Sequence, residues 1–280
     1  MPILHAVVLG LVQGLSEFLP ISSSGHLLLV PWLAGWDDFA GAGLGPSVKK
    51  SFDVALHLGT LVALVAYFRR DLVVYVREGV SAVVTRRRPA SPEGRLAWLL
   101  VLSALPGAAV GAMFEGFIDE RLGTPAIIAV SLIVFGVLLW WSDRRRGTRR
   151  IADYRLRDAL VVGAAQALAL NPGTSRSGIT MTAARLLGFD RDAAARASFL
   201  MAVPITAGAV VFKVGGLIAD GVPDGLLVPM AVGIAMSAVS GWLAVWGLLR
   251  LVRTRTFGIF VAYRIVLGIA VLAVVASGLR

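Results

Sequence analysis

Two short stretches concentrate the reactive side chains of an otherwise apolar chain. The first runs Gln13-Gly-Leu-Ser-Glu17-Phe-Leu-Pro20-Ile-Ser22-Ser23-Ser24-Gly25-His26, the second Asn171-Pro172-Gly173-Thr174-Ser175-Arg176-Ser177-Gly178-Ile179-Thr180. A carboxylate at membrane depth costs about 2.5–3.5 kcal/mol on insertion scales, so Glu17 reads first as a functional group. On a helix Gln13 and Glu17 are four residues apart and share a face. An amide and a carboxylate so placed suit a divalent cation, Mg2+ or Ca2+, which prefers oxygen ligands and shared phosphates. Ser22, Ser23 and Ser24 ahead of Gly25 can be plain helix caps. Three in a row can also offer N–H and hydroxyl groups to a phosphate at a helix N-terminus. Ser175-Arg176-Ser177-Gly178 repeats the arrangement with a guanidinium, which grips phosphate through two parallel hydrogen bonds and stays charged. His26, beside Ser23 and Glu17, is a candidate general base, general acid or nucleophile. His57 is an orienting group or a structural one. Phosphoryl transfer needs an in-line nucleophile, neutralised equatorial oxygens and a proton donor. The two stretches supply candidates for all three, which reads as one phosphate-handling site formed where they meet inside a bilayer.

The rest of the chain has to bring them there. It has 280 residues, 57% of them hydrophobic, and a mean hydropathy of +0.80. Soluble domains are closer to about 45–50% apolar. Several continuously apolar runs approach the roughly 18 residues of a membrane span, whereas barrel strands would alternate with period two. The expected class is an all-α, polytopic integral membrane protein. The net charge of +10 comes from 24 Arg and 3 Lys against 17 acids. The arginines sit in short loops between apolar runs, as topology signals do, so nucleic acid is not expected as a partner. The absence of Cys excludes disulfides, thiol nucleophiles and thiolate metal sites. The N-terminus lacks a basic leader and a small-x-small cleavage site, so the first apolar segment is expected to be retained.

Residues 2–16 and 26–36 are each too short to span about 30 Å of hydrocarbon, and Gly14, Pro20 and Gly25 punctuate them. They read as a re-entrant helix pair, tolerated at depth only when buried in protein or lining a wet cavity. A polar loop is expected at 37–51, a span at 52–68, and a basic connector at 69–95 whose middle, Leu72–Val84, is an interfacial helix. Further spans are expected at 96–114 and 125–142, followed by a second basic loop at 143–157. The pattern then restarts: a short apolar run at 158–170, the break at 171–180, a short helix to 188, and spans at 197–217, 225–249 and 258–278. This makes six full spans plus two re-entrant helix pairs in a single membrane domain, 1–280, with internal repeats of about 1–142 and 158–280. Gln13 and Gln166 each lie twelve residues before a glycine, Gly25 and Gly178. Broken helices at matching positions of a weak repeat point to a membrane site at the repeat interface. Placing the basic loops 69–95, 143–157 and 250–256 in the cytoplasm leaves the acidic loops 115–124 and 218–224 outside, against which stand Lys49 and Lys50. The two halves then have inverted topology. The first pair enters from outside and the second from the cytoplasm.

At this point the residues resemble a known family. Gln13-x-x-x-Glu17 with Pro20-Ile-Ser-Ser-Ser-Gly25-His26, and Pro172-Gly-Thr-Ser-Arg-Ser-Gly-Ile-Thr180, together with the Phe52–Thr60 and Phe199–Pro204 stretches, are similar to the bacterial undecaprenyl-diphosphate phosphatases of the bacitracin-resistance type. The resemblance implies removal of phosphate from a polyprenyl diphosphate lipid to recycle the cell-wall carrier. It also implies a plasma-membrane location, a homodimer and divalent-cation dependence, for which Gln13 and Glu17 are the candidate ligands; the charge asymmetry opens the site to the outer (periplasmic) side. Glu17, Ser23, His26 and Arg176 would be catalytic, with Ser23 or His26 as nucleophile. Gln13, Ser22, Ser24, Gly25, Gly173, Thr174, Ser175, Ser177 and Thr180 would bind substrate. Many members carry Glu at the position of Gln13, which bears on any scheme with two carboxylates on the metal. The rival class is a lipid-carrier flippase or ion-coupled transporter, which shares the inverted-repeat architecture but needs no nucleophile.

Overall fold

The computed structural model describes residues 1–38, 45–85, 91–220 and 225–279, with side chains at all of these except 46, 47, 50, 115–120 and 212–220. The Gly-rich part of the 37–51 loop, Arg86, Arg87 and Arg88, the side chains of Lys50, Glu115, Asp119, Glu120 and Asp220, and Asp224 lie outside this set.

Among the described residues the fold is helical. The order is α1 (Ile3–Phe18), α2 (Ser23–Ala34), α3 (Pro46–Tyr67), α4 (Arg69–Val84), α5 (Pro92–Arg121), α6 (Pro125–Asp143), α7 (Leu156–Ala167), α8 (Arg176–Leu186), α9 (Arg191–Asp220), α10 (Leu227–Leu251) and α11 (Gly258–Ala276). Short 3₁₀ turns occupy Ile151–Asp153 and Leu168–Leu170. Among the described residues, five helices are long and apolar enough to cross a membrane: α5 through Pro92–Phe114, α6, α9 through Arg191–Val211, α10 and α11. The sixth expected span is α3. Its 51–67 part qualifies only together with α4, from which it is bent by 85°. That bend turns α4, which carries the Leu72–Val84 stretch, away from the axis of α3. The helix at the expected 52–68 span starts earlier, at Pro46, because proline fits the first turn, where its missing N–H costs nothing.

The broken pairs have local causes. Leu19 precedes Pro20 and is extended (φ −67, ψ 141), which ends α1. Asn171 precedes Pro172 and is extended in the same way (φ −75, ψ 118) after the α7 turn. Each chain then re-enters a helix through a serine cap. Ser22 has φ 79 and accepts from Gly25 N–H, and Ser175 has φ 73 and accepts from Gly178 N–H. At 16, 12, 12 and 11 residues, α1, α2, α7 and α8 are all short of a span.

The halves pack crosswise. α1 lies chiefly on α10 and α7 on α5; α3 also meets α10 as α9 meets α5, while α6 pairs with α11 and α3 with α9. Small residues allow the closest of these approaches. A Cβ at Gly10 would come within 2.5 Å of the Gly233 carbonyl. The main core is built around the fully buried Phe18, Phe68, Phe189, Phe199 and Phe257. Phe18 meets Phe199 edge to face at 5.5 Å and 82°, which fixes the end of α1 that carries Glu17. At the arginine-rich end, Arg144 lies over Trp140 at 4.3 Å and Arg145 over Trp141 at 5.0 Å. Asp143, buried at the end of α6, binds Arg191 Nε at 2.6 Å and the Phe257 N–H at 3.0 Å.

Candidate active site

The two broken pairs meet at a cleft of about 260 Å³. Glu17, Ser22, Ser23, Ser24, Ser175 and Arg176 line it, with His57 of α3. The opposite wall, from α3, the 168–170 turn and α9, is mostly apolar: Val54, Ala169, Ile205, Ala209 and Val210, with Thr206 among them. A charged end facing an apolar wall suits an amphiphile with an anionic head.

Glu17 is the hub. It is 7% exposed. Its Oε2 accepts from Ser23 Oγ at 2.5 Å and from Gln13 Nε2 at 3.1 Å. Its Oε1 accepts from Arg176 Nη2 at 3.0 Å, and Arg176 Nη1 reaches the Ser198 carbonyl at 3.4 Å. His57 donates through Nδ1 to the Asp53 carbonyl at 2.7 Å, so its Nε2 faces Glu17 Oε2, 3.6 Å away. The carboxylate therefore faces an amide, a hydroxyl, a guanidinium and an imidazole, from α1, α2, α8 and α3. Each is held by helix geometry and not by loop accident.

His26 lies elsewhere. Its Nδ1 donates to the Ser22 carbonyl at 2.7 Å, and its Nε2 accepts from the Tyr263 hydroxyl at 2.7 Å. The rings stack at 5.6 Å and 12°. Both ring nitrogens are thus engaged, and the side chain is not in the cleft wall. Gln13, Gly25, Gly173, Thr174, Ser177 and Thr180 also sit behind that wall. Ser177 Oγ donates to the Leu19 carbonyl at 3.1 Å and ties the second pair to the first. Thr180 Oγ meets Ser198 Oγ at 2.8 Å, and Thr174 Oγ accepts from Asn171 Nδ2 at 3.1 Å. Gly173, at φ +93, is pressed on α6: a Cβ there would lie 2.6 Å from the Ile128 carbonyl.

Four contributors escaped the sequence reading. Arg264 of α11 is fully buried and donates to the carbonyls of Leu132 (3.0 Å), Pro20 (3.1 Å), Gly173 (2.9 Å) and Thr174 (3.0 Å). It braces both broken pairs against α6, and a lone arginine inside an apolar span was a signal for it. Tyr263 is its neighbour and holds His26. Ser198 and Thr206 are isolated hydroxyls on α9 with no local signal.

For a divalent cation the available donors are Glu17 and Gln13. Gln13 Oε1 is buried and has no partner. No group of three or more His, Cys, Asp or Glu side chains able to hold a metal occurs among the described residues. One carboxylate and one amide oxygen fit a cation whose other ligands come from bound phosphate, not a closed protein cage.

Residues 6–270 match the family described as Bacitracin resistance protein BacA. A protein of Pelobacter propionicus named undecaprenyl-diphosphatase is 48% identical over 281 residues, covering 100% of this chain and 99% of the relative. Proteins of the same name from Geobacter sulfurreducens and Moorella thermoacetica are 48% and 46% identical, each over 98% of this chain and 98% of the relative.

Proposed function

The chain belongs to the bacitracin resistance protein BacA family, and we propose that it is a multi-pass membrane undecaprenyl-diphosphatase that releases inorganic phosphate and returns undecaprenyl phosphate for cell-wall synthesis. The observation that carries this reading is the Ser23 hydroxyl at 2.5 Å from a carboxylate oxygen of Glu17, whose other oxygen is held by Arg176.

The apolar wall accepts the first part of the prenyl chain, and the diphosphate faces Arg176 and the serine caps. Phosphate oxygens compete for the Arg176 fork. As Arg176 turns to the substrate, Glu17 loses its strongest partner and becomes a better base for Ser23. Ser23 Oγ attacks the terminal phosphorus, its proton passes to Glu17, and the bridging P–O bond breaks to free undecaprenyl phosphate. Glu17 then gives up that proton to the departing phosphate. In the second half, Glu17 takes a proton from water as the water oxygen attacks the phosphoserine. Inorganic phosphate leaves and Ser23 Oγ is reprotonated. His57, aimed at the same carboxylate, helps to hold it in place. We assign His26 to shaping the loop through Ser22 and Tyr263. Glu17, with Gln13 behind it, would hold Mg2+ or Ca2+, which when bound would offset charge on the diphosphate. The outer-facing orientation rests on the arginine asymmetry, and the homodimer on the family resemblance.

Detergent-purified protein given undecaprenyl diphosphate should release phosphate, and Ser23→Ala, Glu17→Gln and Arg176→Ala should each abolish it. Binding and translocation of the lipid without phosphate release would establish the transporter reading instead.

A further inference from the structure

Three hollows that share lining residues lie away from the cleft and lead to the arginine-rich loop. The first, about 230 Å³, is almost wholly apolar and lies between α4, α5 and α9, with Val76, Val80, Val101, Leu200 and Pro204 in its walls. The second, about 770 Å³, is mixed in character. Tyr75 and Trp98 belong to both, so the two join at this aromatic pair. The second also carries Glu93, Arg95, Tyr154 and Arg155. The third, about 460 Å³, shares Asp153 and Arg155 with it and adds Thr148, Arg149, Arg157 and Asp158. The trough therefore grades from apolar to charged along its length.

Its setting matches that gradient. α4 turns 85° from α3 and mixes charged residues with valines, a character that suits a membrane surface. Val76 and Val80 are exposed where the apolar hollow opens. The charged end falls in the 143–157 loop, the most arginine-dense part of the chain. Only an amphiphile can occupy the whole trough, with a hydrocarbon chain at one end and a polar head at the other.

Charge selects the head. Arg149 is committed to Asp158 at 2.5 and 3.0 Å and to the ring of Phe189. Arg95, Arg155 and Arg157 are exposed and make no ion pair among the described residues. Asp158 is taken up by Arg149, so three arginines face two carboxylates, Glu93 and Asp153, whose Oδ2 also accepts the Arg150 N–H. Burial pushes the Tyr154 hydroxyl up to about 12, so it is a neutral group beside the arginines. Guanidinium groups pair with phosphate more strongly than with water or neutral heads.

We propose that this trough binds one anionic phospholipid of the adjoining leaflet, with its phosphodiester at Arg95, Arg155 and Arg157 and one acyl chain along α4 and α5. The proposal stands independently of the phosphatase reading, because its readout is bound lipid.

The protein is reconstituted in nanodiscs of phosphatidylcholine with a minor share of phosphatidylglycerol, and the lipid retained after mild detergent extraction is quantified. Wild-type protein should retain phosphatidylglycerol well above its bulk share. Arg95→Ala, Arg155→Ala and Arg157→Ala should each weaken retention about five-fold, as expected for one arginine at a membrane surface. Gly79 lines the apolar hollow, and a Cβ there makes only ordinary contacts with Ala97 and Trp98, at 3.5 and 3.7 Å. Gly79→Leu should fill the hollow and reduce retention with every arginine in place; if it does not fold, the arginine variants carry the test. None of these changes touches the cleft, so phosphate release should be unchanged. Retention at the bulk share, retention equal to that of phosphatidylcholine, or full displacement by glycerol phosphate alone would overturn the proposal.

Discussion

Ser22 Oγ accepts the backbone N–H of Gly173 at 3.0 Å. The same oxygen lies 3.4 Å from the Gly25 N–H, where it caps α2. One side chain therefore starts the helix of the first broken pair and straps that pair to the second. Its own backbone sits at φ 79, a region costly for a residue with a Cβ. Ser175 repeats that conformation at φ 73. Strain of this kind persists only where the surroundings over-determine it. Here it aims Ser23 and Arg176, the next residue in each case, at one carboxylate.

Ser22→Ala should remove the cap and leave a buried N–H without its acceptor. The cap is worth about 1 kcal/mol, and the unpaired donor about 1–3 kcal/mol. The expected outcome is a lower melting temperature in detergent together with a larger loss in kcat than in KM. Stability and kinetics measured on the same preparation check it. An activity loss with unchanged melting would mean that Ser22 acts on substrate and not through the strap.

Trapping should identify the nucleophile. Acid quench of enzyme turning over 32P-labelled substrate should leave label on the protein that survives acid and is lost in alkali, as phosphoserine is. Phosphohistidine behaves in the opposite way. Ser23→Ala should lose the label and at least about 10³-fold in kcat. Tyr263→Phe should keep the label, since it disturbs only the bond that holds His26.

Much of this was readable in the chain itself. Pro20 and Pro172 end their helices by a rule that acts on the preceding residue. The serine–glycine runs cap the next ones, and the arginine clusters mark loops. What could not be read was direction across elements. His26 follows Ser23 by three residues, yet its ring turns to Tyr263, 237 positions away. His57 reaches Glu17 because α3 passes the end of α1, which no local pattern encodes. The start of α3 at Pro46, inside a stretch that reads as polar loop, also depends on its packing against α10.

Arg176→Lys should separate charge from geometry. Lysine keeps the charge but loses the fork that holds Glu17 in the free enzyme and grips the phosphates when substrate binds. Charge-assisted hydrogen bonds contribute about 1.5–3 kcal/mol, so kcat/KM should fall about 10- to 100-fold. Initial rates over a substrate range check this. Near-wild-type rates would show that a point charge suffices.

Gln13→Glu should change the cation response. It replaces the amide that donates to Glu17 Oε2 at 3.1 Å with a second carboxylate. Two acids four residues apart repel unless a cation joins them, and affinity for hard cations rises with ligand charge. Half-maximal activity should therefore need less Mg2+ or Ca2+ than in wild type, and chelated enzyme should be less active than chelated wild type. A titration of each protein after chelation measures both. An unchanged titration would remove Gln13 from the cation site.

Arg264→Met tests what holds the cleft together. Methionine fills much of the same space but donates nothing. The carbonyls of Leu132, Pro20, Gly173 and Thr174 would lose their donor in a buried setting. Each unsatisfied buried group costs about 1–3 kcal/mol, so the half-inactivation temperature should fall well below that of wild type. The loss should be specific in kind. α11 is apolar without Arg264 and should still insert, so membrane-fraction yield should survive while activity does not. Arg264→Lys, which can reach some but not all of these oxygens, should fall between the two in both measurements. If Arg264→Met kept wild-type kcat, the two broken pairs would have to be aligned by Ser22 and Ser177 alone.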